Sequence, residues 1–301
     1  MHILITGGSG LIGTALVASL SSQGHSLSVL TRSAARAPAS LKAVAKVIEN
    51  LDQIDQTPPV NAVINLAGTQ IVGKRWSAKR KLEILHSRVG LTRILVQWMS
   101  EQSEKPSVLV SASAVGYYGN RGEHEITELS STGSDFGASL CHEWENAATK
   151  AMDFGVRVCI IRTGLVLSTQ GGMLKQLLMP FKVYLGSRIG DGQQWMSWIH
   201  IADEVAAIEK LVTDARCDGP YNLTAPFPVR NHEFTKTLAR TVGRSTFLVT
   251  PAWVIKLLLG ESAELLLGGQ KALPQRLQQA GYAFQFGSLE GALKNLLNKA
   301  R

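Results

Sequence analysis

Apolar residues along this chain switch between two periods. His2–Thr6, Ser26–Thr31, Ala62–Leu66, Ser107–Ser111 and Arg157–Arg162 are short, β-prone runs of the kind found in strands buried on both faces. Between them, apolar residues recur three or four apart. Ile12, Leu16 and Leu20 fall on one face of Leu11–Ser22. Leu82, Leu85 and Val89 share a face of a basic helix that Ser77 is placed to cap. A further helix is expected around Leu140–Met152. Strands alternating with helices over the first half of the chain predict an α/β fold with a doubly wound parallel sheet.

After Gly164 the pattern changes. Gly171, Gly172, Gly186, Gly190 and Gly192 punctuate a stretch read as loop, and Trp198–Glu209 returns to a strand-and-helix signature. From Pro226 onward, helices are expected at Asn231–Val242, Ala252–Leu259, Leu273–Ala280 and Leu289–Leu297. Each is too short to be stable alone, so their apolar faces should pack together or against the sheet. The expected division is a sheet domain from residues 1–166 and 199–224, and a smaller, mainly helical substrate domain from 167–198 and 225–301. The chain would then cross between the two more than once.

Composition narrows the function classes. With 45% hydrophobic and 18% charged residues in 301, the chain has material for a sizeable core and is not disordered. The excess of 31 basic over 23 acidic residues, +8, suits an anionic ligand. Lys74, Arg75, Lys79, Arg80, Lys81 and Arg93 lack the interleaved readers of a nucleic-acid face and read as a solvated helix surface, so no nucleic-acid partner is expected. Cys141, Cys159 and Cys217 are scattered, which argues against a zinc site or a disulfide framework and for a reducing compartment. No apolar run approaches the roughly 18 residues that span a bilayer. The longest lies around Val254–Leu259, and no leader signature opens the chain. A cytoplasmic location without a membrane partner is therefore expected. The oligomeric state leaves no signal in the pattern.

The densest chemical signal is Thr6-Gly7-Gly8-Ser9-Gly10-Leu11-Ile12-Gly13, set between the first strand and the first helix. Its glycines permit a tight turn, close approach of backbone N–H groups to a pyrophosphate, and close packing of helix on strand. The helix N-terminus adds partial positive charge at the same place. Sites that select NAD put an acid at the end of the second strand, against the ribose 2′-hydroxyl. Here that position reads Val29-Leu30-Thr31-Arg32-Ser33, with Arg36 behind it. A guanidinium there pairs with a 2′-phosphate that an acid would repel, so NADP(H) is expected in preference to NAD(H).

With these residues go Asn65-Leu66-Ala67-Gly68 and Ser111-Ala112-Ser113, and together they resemble the extended short-chain dehydrogenase/reductase superfamily of NAD(P)-binding Rossmann proteins. The similarity is closest to its atypical, epimerase-like branch of YfcH-like proteins with a C-terminal helical domain of unknown function. Lys74-Arg75-Trp76, Gly116-Tyr117-Tyr118-Gly119, Trp144-Glu145, Trp198-Ile199-His200-Ile201 and Leu267-Gly268-Gly269-Gln270 carry that likeness over nearly the whole chain. The resemblance implies a cofactor site formed by Gly7, Gly8, Ser9, Gly10, Leu11, Ile12, Gly13, Thr31, Arg32, Leu66, Ala67, Gly68, Glu83, Arg88, Ser111, Thr163 and Gly164. It also implies hydride transfer to or from a carbonyl, imine or activated alkene of a small molecule. Trp195, Trp198 and His200 fall where relatives border the substrate.

One departure stands out. The superfamily's proton-handling YxxxK pair falls on Phe136 and Leu140, which offer neither a proton nor a charge. Ser113, aligned with the superfamily's serine, and Tyr117, just beyond it, are the remaining catalytic candidates, with Cys141, His142, Glu145 and His200 behind them. No metal is expected. A catalytically silent, NADPH-binding module is the alternative to an oxidoreductase.

Overall fold

A computed structural model describes residues 1–54 and 58–298. Its centre is a seven-stranded parallel sheet: β1 (His2–Thr6), β2 (Ser26–Leu30), β3 (Lys46–Ile48), β4 (Ala62–Asn65), β5 (Val108–Ala114), β6 (Arg157–Thr163) and β7 (Gly219–Leu223). The spatial order is β7-β6-β5-β4-β1-β2-β3, so the winding reverses between β1 and β4. That reversal opens a crevice at the carboxyl ends of the strands, the place where such sheets bind ligands.

Alternation along β1 feeds two cores. Ile3 and Ile5 face one layer, where they meet Leu16 and Leu20 of α1 (Leu11–Ser22); Leu4 faces the other. Ser77 accepts a hydrogen bond from Arg80 N and caps α2 (Ala78–Leu85), as its position suggested. A π-helical turn, His86–Gly90, joins it to α3 (Leu91–Glu101). On the far layer α3 packs beside α4 (Phe136–Thr149).

The region read as loop after Gly164 contains α5 (Gly172–Lys182), a helix masked in the sequence by the glycines before it and by Pro180 inside it. Then come α6 (Ile201–Thr213), α7 (Asn231–Thr241), α8 (Ala252–Leu259) and α9 (Leu289–Asn298). Leu174 and Phe181 of α5, Phe234 and Leu238 of α7, and Leu293 of α9 make a second core together with Trp198. Helix α8 departs from expectation: none of its residues is buried.

The division into domains also differs. Residues 273–286, assigned from the sequence to the small domain, return to the sheet. Leu277 is buried in the α1/α6 layer, and Tyr282 and Phe284 pack against it. Two buried carboxylates of the sheet domain hold this segment. Asp203 accepts from the Tyr282 hydroxyl and from the backbone N–H groups of Gln285 and Phe286, and Glu128 accepts from Asn222 N and Arg276 N. Among the described residues, no helix is long and apolar enough to cross a membrane.

Candidate cofactor and substrate site

The β1–α1 turn occupies the crevice. Gly7 has a φ of +71°, and a Cβ on it would stand 2.6 Å from the carbonyl oxygen of Leu66; a Cβ on Gly13 would stand 2.2 Å from the carbonyl oxygen of Gly7. Glycine is required at both by close approach, and at Gly7 by conformation as well. Gly10 N closes the turn on the Gly7 carbonyl, yet a Cβ on Gly10 would meet only that oxygen, at 3.2 Å. Ser9 and Gly10 are exposed, Leu11 and Ile12 half-buried, and Gly8 buried against Val29. Helix α1 starts at Gly10 with no side-chain cap and no acid in its first turn, so its leading N–H groups stay available to an anion. The residues present fit a dinucleotide diphosphate.

Beyond β2, Thr31 donates its N–H to the Ile48 carbonyl, and Arg32 is exposed with no ion pair among the described residues. Across the crevice a buried polar network fixes the loop after β4. Thr6 Oγ1 donates to Asn65 Oδ1 at 2.7 Å and accepts from Ala67 N; Asn65 Nδ2 in turn reaches Thr92 Oγ1 and Ser111 Oγ. Ser111 therefore serves beneath the loop. Arg88 lies against Gly68 so closely that a Cβ there would be 2.8 Å from its Cζ, and its guanidinium sits 5.3 Å from the Trp144 ring. Burial pushes Arg88 below its usual range. No carboxylate pairs with it among the described residues, which leaves a desolvated cation beside the crevice. Glu83, expected next to the cofactor, is half-exposed and pairs with Arg80 at 3.0 Å.

The catalytic candidates meet at the carboxyl ends of β5 and β6. Ser113 is buried, and its hydroxyl donates to Glu145 Oε1 at 2.6 Å. Arg162 closes a bidentate pair with the same carboxylate at 2.9 and 2.8 Å, and its Nη1 donates to the Tyr118 hydroxyl. Burial opposes the charge on Arg162, but the bonds to Glu145 more than offset it and hold the guanidinium above its usual value. The Tyr118 hydroxyl in turn donates a hydrogen bond to Asn222 Oδ1, and burial pushes its pKa up to about 12. Tyr117 is half-buried with the Arg162 guanidinium 3.6 Å from its ring centroid. Burial likewise pushes the Cys141 thiol up to about 11, so it is a thiol and not a thiolate at neutral pH.

Sequence reasoning passed over Arg162 as part of a strand end, although an arginine in a buried strand demands a carboxylate, and Glu145 was already a candidate. Phe136 opens α4 packed on Trp76 at 4.9 Å, and Leu140 is buried one turn later. The Lys81 ammonium also lies over the Phe136 ring, 4.8 Å from its centroid, but neither Phe136 nor Leu140 has a proton to give.

A cavity of about 840 Å³ runs from these strand ends into the small domain. Its walls are Thr163 and Gly164 on the sheet side and Leu177, Phe181, Leu265 and Leu266 opposite. Trp195 stands on the wall, with Arg230 over its ring at 4.5 Å. Trp198 and His200, expected beside the substrate, are elsewhere. Trp198 has no exposed surface and donates its indole N–H to the Phe227 carbonyl in the second core. His200 is buried, stacks on Phe286 at 3.8 Å, and caps α6 by accepting from Ala202 N. The strand Trp198–His200 alternates inward between two packed layers, so both side chains are committed to the fold. From the sheet-side wall Thr163 donates to Glu204 Oε1 at 2.8 Å. Glu204 is fully buried, its other oxygen has no hydrogen-bond partner, and burial pushes its pKa up to about 8. The described residues hold no cluster of three or more His, Cys, Asp or Glu suited to a metal ion.

A reversed winding with an uncapped helix start at its crevice defines the class: a dinucleotide-binding protein of the extended Rossmann type. Comparison with known proteins makes it specific. Residues 3–224 match the NAD dependent epimerase/dehydratase family, to which the chain belongs, and residues 250–296 match a domain of unknown function, DUF1731. The epimerase family protein Mb2239 of Mycobacterium bovis is 40% identical over 296 residues, covering 97% of this chain and 96% of the relative. The chloroplastic SDR39U1 homolog of Arabidopsis thaliana is 39% identical over 303 residues, covering 99% and 87%. The crystal structure of human epimerase family protein SDR39U1 with NADPH has a TM-score of 0.90 at 31% identity, covering 99% of each chain. The UDP-glucose 4-epimerase of Thermotoga maritima, at 16% identity and a TM-score of 0.81, shares the fold.

Proposed function

We propose that this chain is an NADP(H)-dependent oxidoreductase acting on a small molecule, with NADP(H) preferred over NAD(H). One observation carries the reading: a bare glycine turn at the winding reversal is accompanied, at the end of β2, by an exposed arginine and no acid. The amides from Gly7 to Gly13 and the N-terminus of α1 would hold the diphosphate, and Thr31 and Arg32 would meet the 2′-phosphate. Leu66–Gly68, with Arg88 behind them, and Thr163–Gly164 would flank the remainder. The NADPH bound by the human relative supports the same choice.

The cofactor, when bound, supplies a hydride. The chain's own residues then have to position a substrate and handle its proton. The Ser113 proton is directed at Glu145, so toward a ligand the buried Ser113 would act only as an acceptor. The Tyr117 hydroxyl makes no hydrogen bond among the described residues and is the proton carrier on this reading. Apolar cavity walls with Trp195 among them suit a ring-shaped or largely apolar substrate.

The absence of a proton donor at Phe136 and of a charge at the buried Leu140 favours the second reading, a module that binds NADPH without turnover. Calorimetry with NADPH and NADH tests the cofactor assignment. NADPH should bind at least tenfold more tightly, and Arg32→Ala should shrink that ratio about tenfold. Equal affinities for the wild type would defeat the NADP assignment. Loss of deuterium from labelled NADPH across a metabolite panel separates the oxidoreductase from the silent module.

A further inference from the structure

Helix α8 and the segments beside it leave large apolar side chains in solvent. Phe247 is 90% exposed and Trp253 67%, and Val183, Tyr184, Leu185, Leu248, Val249, Leu257 and Leu258 are exposed with them. The segments form one surface. Leu248–Thr250 pairs in parallel with Ser187–Ile189, and Arg244 donates to the Lys182 carbonyl while its guanidinium sits 4.6 Å from the Tyr184 ring. Tyr184 has a φ of 63°, a backbone conformation costly for a bulky residue, and its ring points outward all the same. Helix α8 is tied down through its backbone, since Arg75 donates to the carbonyls of Leu257 and Leu258. A monomer rarely leaves such a face open without a use for it.

Charge identifies the occupant. Residues 172–190 and 234–260 contain no acid, whereas Lys182, Arg188, Arg244 and Lys256 stand among or beside the apolar residues. A second copy of the same face would bring like charges together, while an anionic surface would meet mainly opposite ones, with Asp191 and Glu261 at its margins. We infer that this face attaches the protein peripherally to a bilayer bearing anionic headgroups, with Phe247 and Trp253 entering the interface and the basic residues resting on the phosphates. Apolar insertion combined with basic flanks is how non-spanning proteins hold such surfaces. The sequence expectation of no membrane partner rested on the absence of a spanning run, which peripheral attachment does not require.

Sedimentation with vesicles tests this. The whole protein should bind vesicles of phosphatidylcholine containing roughly one-third phosphatidylglycerol at least tenfold more tightly than pure phosphatidylcholine, and less tightly as salt rises. Phe247→Glu with Trp253→Glu should lower binding at least tenfold and leave calorimetric NADPH affinity unchanged, because both residues are exposed outside the cofactor site. Lys182→Glu should lose the anionic preference. Failure to sediment with either vesicle would overturn the inference. So would equal binding by the double variant, or a protein-concentration-dependent dimer that protects Trp253 from acrylamide quenching, which would assign the face to a second copy.

Discussion

Replacing Glu204 by glutamine isolates one buried carboxyl group and its effect on folding. An unfolded glutamate titrates near 4.5, whereas burial keeps Glu204 protonated up to about 8. Between those values the native protein holds a proton that the unfolded chain has released. Each unit of rising pH therefore favours unfolding by about 1.4 kcal/mol. The contribution of this group is fully present below about pH 4.5 and lost by the time the pH has passed about 8; the whole interval is worth at most about 5 kcal/mol. Glutamine keeps an acceptor for the Thr163 hydroxyl but puts an amide N–H₂ where the second oxygen has no partner, costing about 1–3 kcal/mol at every pH. Urea unfolding followed by tryptophan fluorescence from pH 5 to 9 should show two stability curves that cross. The variant is weaker at pH 5 and equal or stronger at pH 9, where the wild type carries a buried anion. Parallel curves would mean that Glu204 titrates like a solvated acid, and the reasoning would fail.

Other substitutions probe the rest of the site. Glu145→Gln leaves Arg162 buried against a neutral amide and should cost about 3–5 kcal/mol in the same unfolding assay; a loss under about 1 kcal/mol would show that the pair is solvated. Gly10→Val should abolish NADPH binding in calorimetry with little change in melting temperature, because its side chain would meet mainly the ligand's space. Gly7→Val should unfold the turn itself, since it combines a left-handed φ with a clash at the Leu66 carbonyl; equal stability of the two variants would contradict this assignment of the glycines. Phe136→Tyr with Leu140→Lys should bring measurable carbonyl reduction if those positions match the superfamily's pair, and a folded, inert double variant would count against that match.

Local pattern carried much of this molecule. The limits of α1 and the capping of α2 by Ser77 could be read directly, because period and cap are properties of neighbouring residues. What stayed hidden depends on residues brought together from afar. Arg162 and Glu145 are 17 positions apart, and only the packing of α4 on β6 makes them partners. Trp198 and His200 have the composition of a ligand-binding motif, but the pairing of their strand with Leu165–Leu167 turns both inward. Helix α8 misled in the opposite sense: an apolar run normally signals burial, yet here it faces solvent.

The return of residues 273–286 to the sheet bears on how the molecule can come apart. The segment matched to a separate domain of unknown function supplies Leu277 to the layer under α1, donates the hydrogen bonds that hold Asp203, and adds one to Glu128. A fragment ending near residue 224 would uncover that layer, strip Asp203 of its donors from Tyr282, Gln285 and Phe286 and leave Glu128 with Asn222 N alone, so it should be insoluble or molten rather than a working nucleotide-binding unit. The two matched regions form one interlocked body, and scanning calorimetry should show them melting in a single transition.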